Sequence, residues 1–264
     1  MKRIIAFTFF ALAFAAAASA FSTKYHATVA YIAEQHMTPR AKSNFHKAFG
    51  NRPLVYFASY PDFYRDIYNI DGIPNAHSIY LDEAFNPVSK KDKSISAYDA
   101  LLWAVEQLKN YKTMDDSLKV VALAMMTHFI GDSHCPSHKQ YADKRSTRIH
   151  NIYYTTSLKK KGAEKKIKYH AFWDSYCMDQ RYVGGFLEVA YMIDTCTKEE
   201  IAGIQKGTVE DWMHATAVDC KDLYDVEDGE TVDRIYVIDK AELAAFQVRN
   251  AGYRLAALMN RIFG

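Results

Sequence analysis

A mainly α-helical, single-domain fold with one small β-hairpin is what this sequence predicts, and three observations predict it. Apolar residues recur at helical spacing through most of the chain. A strand, turn and strand pattern occurs once, between Asn151 and Lys168, as NIYYTTS, the charged KKKGAEKK and IKYH. No Pro/Gly/Ser-rich linker and no internal repeat divides the 264 residues, a length that suits one sizeable core.

The first 20 residues stand apart. Lys2 and Arg3 precede an apolar run from Ile4 to Ala18, and Ala18-Ser19-Ala20 is a small-residue cleavage signature. Residues 1–20 therefore read as a secretory signal peptide removed before Phe21, leaving a domain over residues 21–264 that is exported, either periplasmic or secreted. The run is short and alanine-rich for a bilayer span, and no Cys follows the cleavage point to carry a lipid. The leader holds two of the 33 basic residues and none of the 31 acidic ones, so the formal charge of +2 belongs to it. A near-neutral mature chain has no global field that argues for nucleic acid. Cys135, Cys177, Cys196 and Cys220 permit up to two disulfides in an exported protein, with three possible connectivities.

Apolar spacing over Ala27 to Gln35 predicts a helix, and Thr38-Pro39 reads as an N-cap with Pro at the first helical position of a second, stopped at Gly50. Tyr98 to Tyr111 is amphipathic. Asp115-Asp116-Ser117 offers cap chemistry for a helix from Leu118 to Gly131 that is apolar on nearly every side, hence central, and Pro136 should end it. After the hairpin, helical patterns return at His170 to Arg181, Glu188 to Ile193, Lys198 to Tyr224 and Lys240 to Phe263.

The central helix runs into HFIGDSHCPSH, residues 128–138, a dense set of metal-ligand side chains. His128 and Asp132 leave one helical face a turn apart, and the same H-x-x-x-D spacing recurs at His170 and Asp174. One such pair is more simply a buried His–Asp hydrogen bond; two, with His138 nearby, are harder to dismiss. Asp62 in ASYPDFYR, His77 in PNAHSIY and His26 add ligands on other segments, and imidazole nitrogen and carboxylate oxygen suit zinc. The α-amine and carbonyl of a processed first residue can chelate too. Cys135 offers a competing single-zinc site with His128 and Asp132 on an unbroken helix, and His134 remains an outer candidate through its i, i+4 spacing to His138.

The segments FSTKYHATVAYIAEQHMTPRAK, ASYPDFYR, HFIGDSHCPSH, YHAFWD and QVRNAGYRLAALMNRIF together resemble the zinc-dependent single-strand nucleases and 3′-nucleotidases, the S-one/P-one nuclease family, related in fold to the bacterial zinc phospholipases C. The resemblance runs from Phe21 almost to the end of the chain. It implies three zinc ions per chain. Asp62, His77 and His128 would hold one, Asp132 would bridge it to a second held by the amine and carbonyl of Phe21 and by His26, and His138, His170 and Asp174 would hold the third. It further implies phosphoester hydrolysis by a hydroxide between the paired zincs, with Asp62 orienting the attacking water and Arg65 bonding a phosphate oxygen in the transition state.

The sequence departs from that family in places. Phe21 stands where Trp is usual, but its chelating atoms are backbone. Cys135 replaces a common Gln, Ile149-His150 replace a Gly pair, and Lys168 replaces an Asn, all positions that would support ligands. After His77 the family commonly has an aromatic and then an Asn or Asp near the nucleobase pocket, whereas this chain has Ser78, Ile79 and Tyr80, leaving base stacking to Tyr80 or another aromatic. The lysines of KKKGAEKK either guide a polyanion or form a solvated tip. His36, His46, His150 and His214 receive no metal role, and Glu210 with His214 reads as helix support.

The expected substrates are single-stranded DNA or RNA, or 3′-nucleotides. Two other readings are a zinc phospholipase C acting on phospholipids, which shares the metal chemistry, and a noncatalytic protein that uses zinc for stability or binding. An open coordination position for water separates catalytic from structural zinc.

Overall fold

The computed structural model describes residues 22–64, 77–89, 96–155 and 164–264, and its fold is mainly α. Helix α1 spans Thr23–Gln35 and α2 spans Pro39–Phe49. The Thr38 hydroxyl accepts the Ala41 N–H at 3.1 Å, Pro39 opens α2, and Gly50 ends it at φ 70°, so the cap signals act as the sequence predicts. A 3₁₀ turn at Leu54–Phe57 and the one-turn helix α3 (Tyr60–Phe63) follow. Neither was anticipated, because a single turn is too short to display a period.

Helix α4 (Ala97–Leu108) opens on a capping box of Ser96 with Asp99 and packs against α5 (Asp116–Asp132). The Asp115 carboxylate accepts the N–H groups of Ser117 and Leu118 at the start of α5. From Val121 to Asp132 every α5 residue is buried, which is where a helix apolar on all sides must lie. The helix stops at Asp132, ahead of Pro136, and a 3₁₀ turn at Pro136–His138 carries the chain onward.

The predicted hairpin forms: β3 (Asn151–Thr155) pairs antiparallel with β4 (Glu164–Lys168), Asn151 opposite Lys168, while most of the charged tip lies outside the described residues. Three two-residue strands were not anticipated. β1 (Ile79–Tyr80) pairs parallel with β2 (Lys139–Gln140), and β5 (Thr231–Val232) adds parallel to β3. Two residues cannot show alternation, so no sequence pattern announces them.

His170 and Asp174 lie on a helical stretch made of α6 (Tyr169–Ala171), a π-helical segment at Phe172–Tyr176 and α7 (Cys177–Arg181). Helix α8 covers Phe186–Ile193. The pattern over Lys198 to Tyr224 is not one helix but α9 (Lys198–Ile204), α10 (Val209–Asp219) and a 3₁₀ turn. Gly207 sits at φ 93°, where the helix cannot continue, and a capping box of Thr208 with Asp211 restarts it. Helix α11 runs Arg234–Phe263, starting earlier than Lys240 because Asp233 caps it through the Tyr236 N–H.

Helices α1, α5 and α11 meet in the core. A Cβ at Gly252 of α11 would come within 2.6 Å of Ile32 Cγ2 on α1, so glycine is what lets these two helices approach. All four cysteines are free thiols, three of them buried.

Candidate metal centre

The end of α5 brings His128 and Asp132 to a point that four other segments reach. Helix α1 supplies His26, α3 supplies Asp62, the residue before β1's Ser78 lead-in is His77, and the turn after α5 supplies His138. The parallel pairing of Ile79 with Lys139 fastens the His77 and His138 segments side by side. Asp132 divides its carboxylate. Oδ2 lies 2.8 Å from His77 Nδ1 and 3.3 Å from His128 Nε2, whereas Oδ1 lies 3.4 Å from His26 Nε2 and 3.7 Å from His138 Nδ1. Asp62 Oδ1 is 3.8 Å from His128 Nε2 and 3.9 Å from His77 Nδ1. The rings of His26 and His128 stack at 3.9 Å.

Backbone carbonyls orient the imidazoles. His128 Nδ1 donates to the Ala58 carbonyl at 2.9 Å, which leaves its Nε2 lone pair toward Asp132 and Asp62. His138 Nδ1 donates to the His77 carbonyl at 2.7 Å, which turns its Nε2 toward Asp174 Oδ1, 3.4 Å away. A ring nitrogen tied to a carbonyl so that the other is bare is the posture of a metal-ligating histidine. His170 Nε2 lies 3.1 Å from Asp174 Oδ2, and its ring stacks on His138 at 5.0 Å.

These residues fit a metal. Asp132 Oδ1 and His138 Nε2 are fully buried yet have no hydrogen-bond partner among the described residues. A buried carboxylate oxygen and a bare imidazole lone pair are costly to leave without compensation, and a cation compensates both. Three sets of ligand atoms lie within 4.8 Å of one another: His26, Asp62 and His128; His77, His128 and Asp132; and Cys135, His138 and Asp174.

The electrostatics agree. Burial alone would raise the Asp132 carboxyl, but His128, His138 and His77 hold it well below the usual carboxylate range. Burial likewise works against charged His128 and His138, yet Asp132 beside both raises them, His138 to about 9. His26, fully buried beside His128, is lowered to about 3. The carboxylates draw positive charge onto these lone pairs, and protons and a metal dication compete for them.

Two sequence alternatives change. Because α5 ends at Asp132, Cys135 does not continue its helical face; its thiol points to Asp174 Oδ1 at 3.4 Å and to Ser137 Oγ at 3.3 Å. His134 turns away from the centre: Nδ1 donates to the Ile130 carbonyl at 2.8 Å and Nε2 accepts from Arg254 at 2.7 Å, so it has no lone pair left for a metal. Phe21 and Arg65 lie outside the described residues, but Ser22 donates its N–H to the Asp174 carbonyl at 3.1 Å, tying the start of the described chain to the centre.

Sequence reasoning missed several supports. Ser137 Oγ donates to Asp174 Oδ1 at 2.9 Å. The buried Lys139 ammonium donates to the Ser133 and Cys135 carbonyls at 3.1 and 3.2 Å, closing the end of α5. The carbonyls of Ala58 and His77 carry no side-chain signal at all.

A family model described as S1/P1 Nuclease matches residues 21–264. Endonuclease 2 of Arabidopsis thaliana is 28% identical over 178 residues, covering 60% of this chain and 58% of that protein. Nuclease P1 of Penicillium citrinum is 25% identical over 283 aligned positions, covering 90% of this chain and 96% of that protein. Nuclease PA3 of Penicillium sp matches to the same extent. With the family model spanning every described residue, the chain belongs to the S1/P1 nuclease family.

Proposed function

We propose that this chain is an exported zinc phosphoesterase of the nuclease and 3′-nucleotidase type, acting on single-stranded DNA or RNA and on 3′-nucleotides with three zinc ions per chain. The observation that carries the reading is the divided carboxylate of Asp132, one oxygen toward His77 and His128, the other toward His26 and His138. Such a group suits a bridge between two cations, and paired cations are a recurring arrangement for phosphodiester hydrolysis.

In this reading Asp62, His77, His128 and Asp132 would hold one zinc; Asp132, His26 and the amine and carbonyl of Phe21 would hold the second; His138, His170 and Asp174 would hold the third. The bond from Ser22 to Asp174 and a family match that starts at Phe21 support a place for that residue at the centre. Zinc bound here supplies Lewis-acid stabilisation of charge on phosphate oxygens and makes water acidic enough to yield a nucleophile near neutral pH. The chain's own groups do the rest. Asp62 orients the attacking water, Arg65 bonds a phosphate oxygen as charge develops, and the buried walls around Asp132 strengthen each of these interactions by keeping bulk water out. Export rests on the leader over residues 1–20.

The test is hydrolysis by a chain beginning at Phe21, before and after chelation and with zinc restored. Single-stranded DNA, RNA and a 3′-nucleotide should be cleaved, the activity vanishing and returning with the metal. Cleavage of short-chain phosphatidylcholine alone would make the protein a phospholipase C. A zinc-loaded, folded chain that cleaves none of them would leave a noncatalytic zinc protein.

A further inference from the structure

Ser137 sits at the hub of the outer part of the metal centre. It lies buried in the 3₁₀ turn Pro136–His138, directly before His138. Its hydroxyl donates to Asp174 Oδ1 at 2.9 Å, and its main chain hydrogen-bonds the His170 imidazole. One residue thus bears on all three candidate ligands of the outer ion, through a peptide bond, a hydroxyl and a main-chain group. Other buried hydroxyls nearby behave differently. Thr127 Oγ1 donates to the Leu123 carbonyl and Ser133 Oγ to the Ile130 carbonyl, both at 2.8 Å and both back onto α5. Back-bonding of that kind is the ordinary use of a hydroxyl on a helix, and Ser137 departs from it.

Proton counting fixes the direction of each bond. A carboxylate only accepts, so the single Ser137 proton points to Asp174. Ser137 Oγ can then only accept from Cys135 Sγ, 3.3 Å away, and the same thiol donates to Asp174 Oδ1 at 3.4 Å. Oδ1 therefore takes two donors, about as many as its lone pairs serve, and the carboxylate cannot rotate without breaking both bonds. His138 Nε2, 3.4 Å from Oδ1, makes no hydrogen bond to it, and Oδ2 is left facing His170 Nε2 at 3.1 Å. One oxygen is spent on the protein and the other is turned toward the imidazoles. The hydroxyl is the main holder, because a thiol donates weakly.

We propose that Ser137 is a positioning residue for the outer metal ion: its hydroxyl, assisted by the Cys135 thiol, locks the Asp174 carboxylate so that Oδ2 is the oxygen offered to the ion beside His138 and His170. The proposal rests on the three-zinc reading above and deepens it. A partner that orients a ligand without touching the metal acts through affinity, since an unlocked carboxylate must give up rotational freedom each time an ion binds.

The experiment titrates the zinc-loaded holoprotein with a zinc chelator and counts the ions released per chain, for the parent and for Ser137→Ala, Ser137→Thr and Cys135→Ala. Ser137→Ala should weaken the outer ion by about 10- to 100-fold and leave the inner two in place, as loss of an orienting partner does. Ser137→Thr, which returns the hydroxyl, should recover most of that loss, and Cys135→Ala should cost less than Ser137→Ala. An unchanged outer step, or an equal shift in all three, would overturn the role of Ser137. So would a lower melting temperature of metal-free Ser137→Ala with the outer step unmoved, which would make Ser137 a packing residue. A loss as large in Cys135→Ala would hand the principal part to the thiol and overturn the assignment. A parent that releases no third ion would take down the three-zinc reading, and the role of Ser137 with it.

Discussion

The inner and outer parts of the metal centre use the same residue types in different settings. Around Asp132, the side chains of His26 and His128 are fully buried, and Asp62 nearly so. Around Asp174, His170 leaves 52% of its side chain exposed, and a thiol and a hydroxyl share the carboxylate with the imidazoles. The inner part is held by a packed helix and a main-chain carbonyl; the outer part is held by a turn and a π-helical segment. Burial makes the inner groups depend strongly on a compensating cation, while solvent eases that dependence at the outer edge.

The largest expected effect follows from the divided carboxylate. On the proposed three-zinc reading, Asp132→Ala removes the group that faces both sets of imidazoles, so elemental analysis should find both inner ions lost and the outer one kept, with turnover abolished. Retention of two inner ions would end the bridging role. His170→Ala should act only at the outer part, weakening metal affinity there in competition with a chelator by more than the roughly 10- to 100-fold that loss of a mere supporting partner costs, and equal losses at both parts would erase the distinction.

Gly252→Ala tests how far the inner part depends on core packing. The new methyl meets Ile32 on the helix that carries His26, and overpacking of this kind costs about 1–3 kcal/mol. The melting temperature should drop by several degrees, and an unchanged value would mean that α1 and α11 part at no cost.

Cys135 sharpens the comparison from the outer side. Its thiol is aimed at Asp174 as a donor, so a cobalt-substituted protein should show no thiolate-to-metal charge-transfer band, and Cys135→Ser should keep the outer ion. A thiolate band would make Cys135 a ligand.

The smallest effect is expected at a His–Asp pair outside the centre. His36 Nε2 lies 2.9 Å from Asp194 Oδ1, and Tyr253 donates to the same oxygen at 2.7 Å. Burial would raise the Asp194 carboxyl, but the bonds from His36 and Tyr253 outweigh it and keep it below its ordinary range. A depressed folded-state pKa stabilises above the unfolded carboxylate pKa and is lost as pH falls through the folded value. Asp194→Asn should therefore lower stability near neutrality by about 1 kcal/mol, flatten the acid limb of the stability curve and leave zinc content unchanged. Altered zinc content would mean that this pair belongs to the centre after all.

The metal centre itself shows what sequence spacing can and cannot convey. The spacing of His128 and Asp132 on one helical face was legible because helical geometry relates residues four apart. The turn from His134 to His138 was not, since the helix ends at Asp132 and each side chain then follows a local path: His134 to Arg254, Cys135 to Asp174, His138 to the His77 carbonyl. Gly207 likewise divided a stretch whose apolar period ran straight through it.

The sequence by itself determined the mainly helical fold, the caps at Thr38 and Asp115, the buried central helix and the candidate ligands, because local propensity and periodicity reside in residue identity. Tertiary structure decided which oxygen of Asp132 faces which imidazole, which ring nitrogens of His128 and His138 are left bare, and that the rings of Tyr56, Tyr60, Phe63, Tyr64 and Phe186 line one pocket. Those outcomes rest on main-chain carbonyls and on segments far apart in the chain, and neither leaves a mark on the identity of the residues it orients.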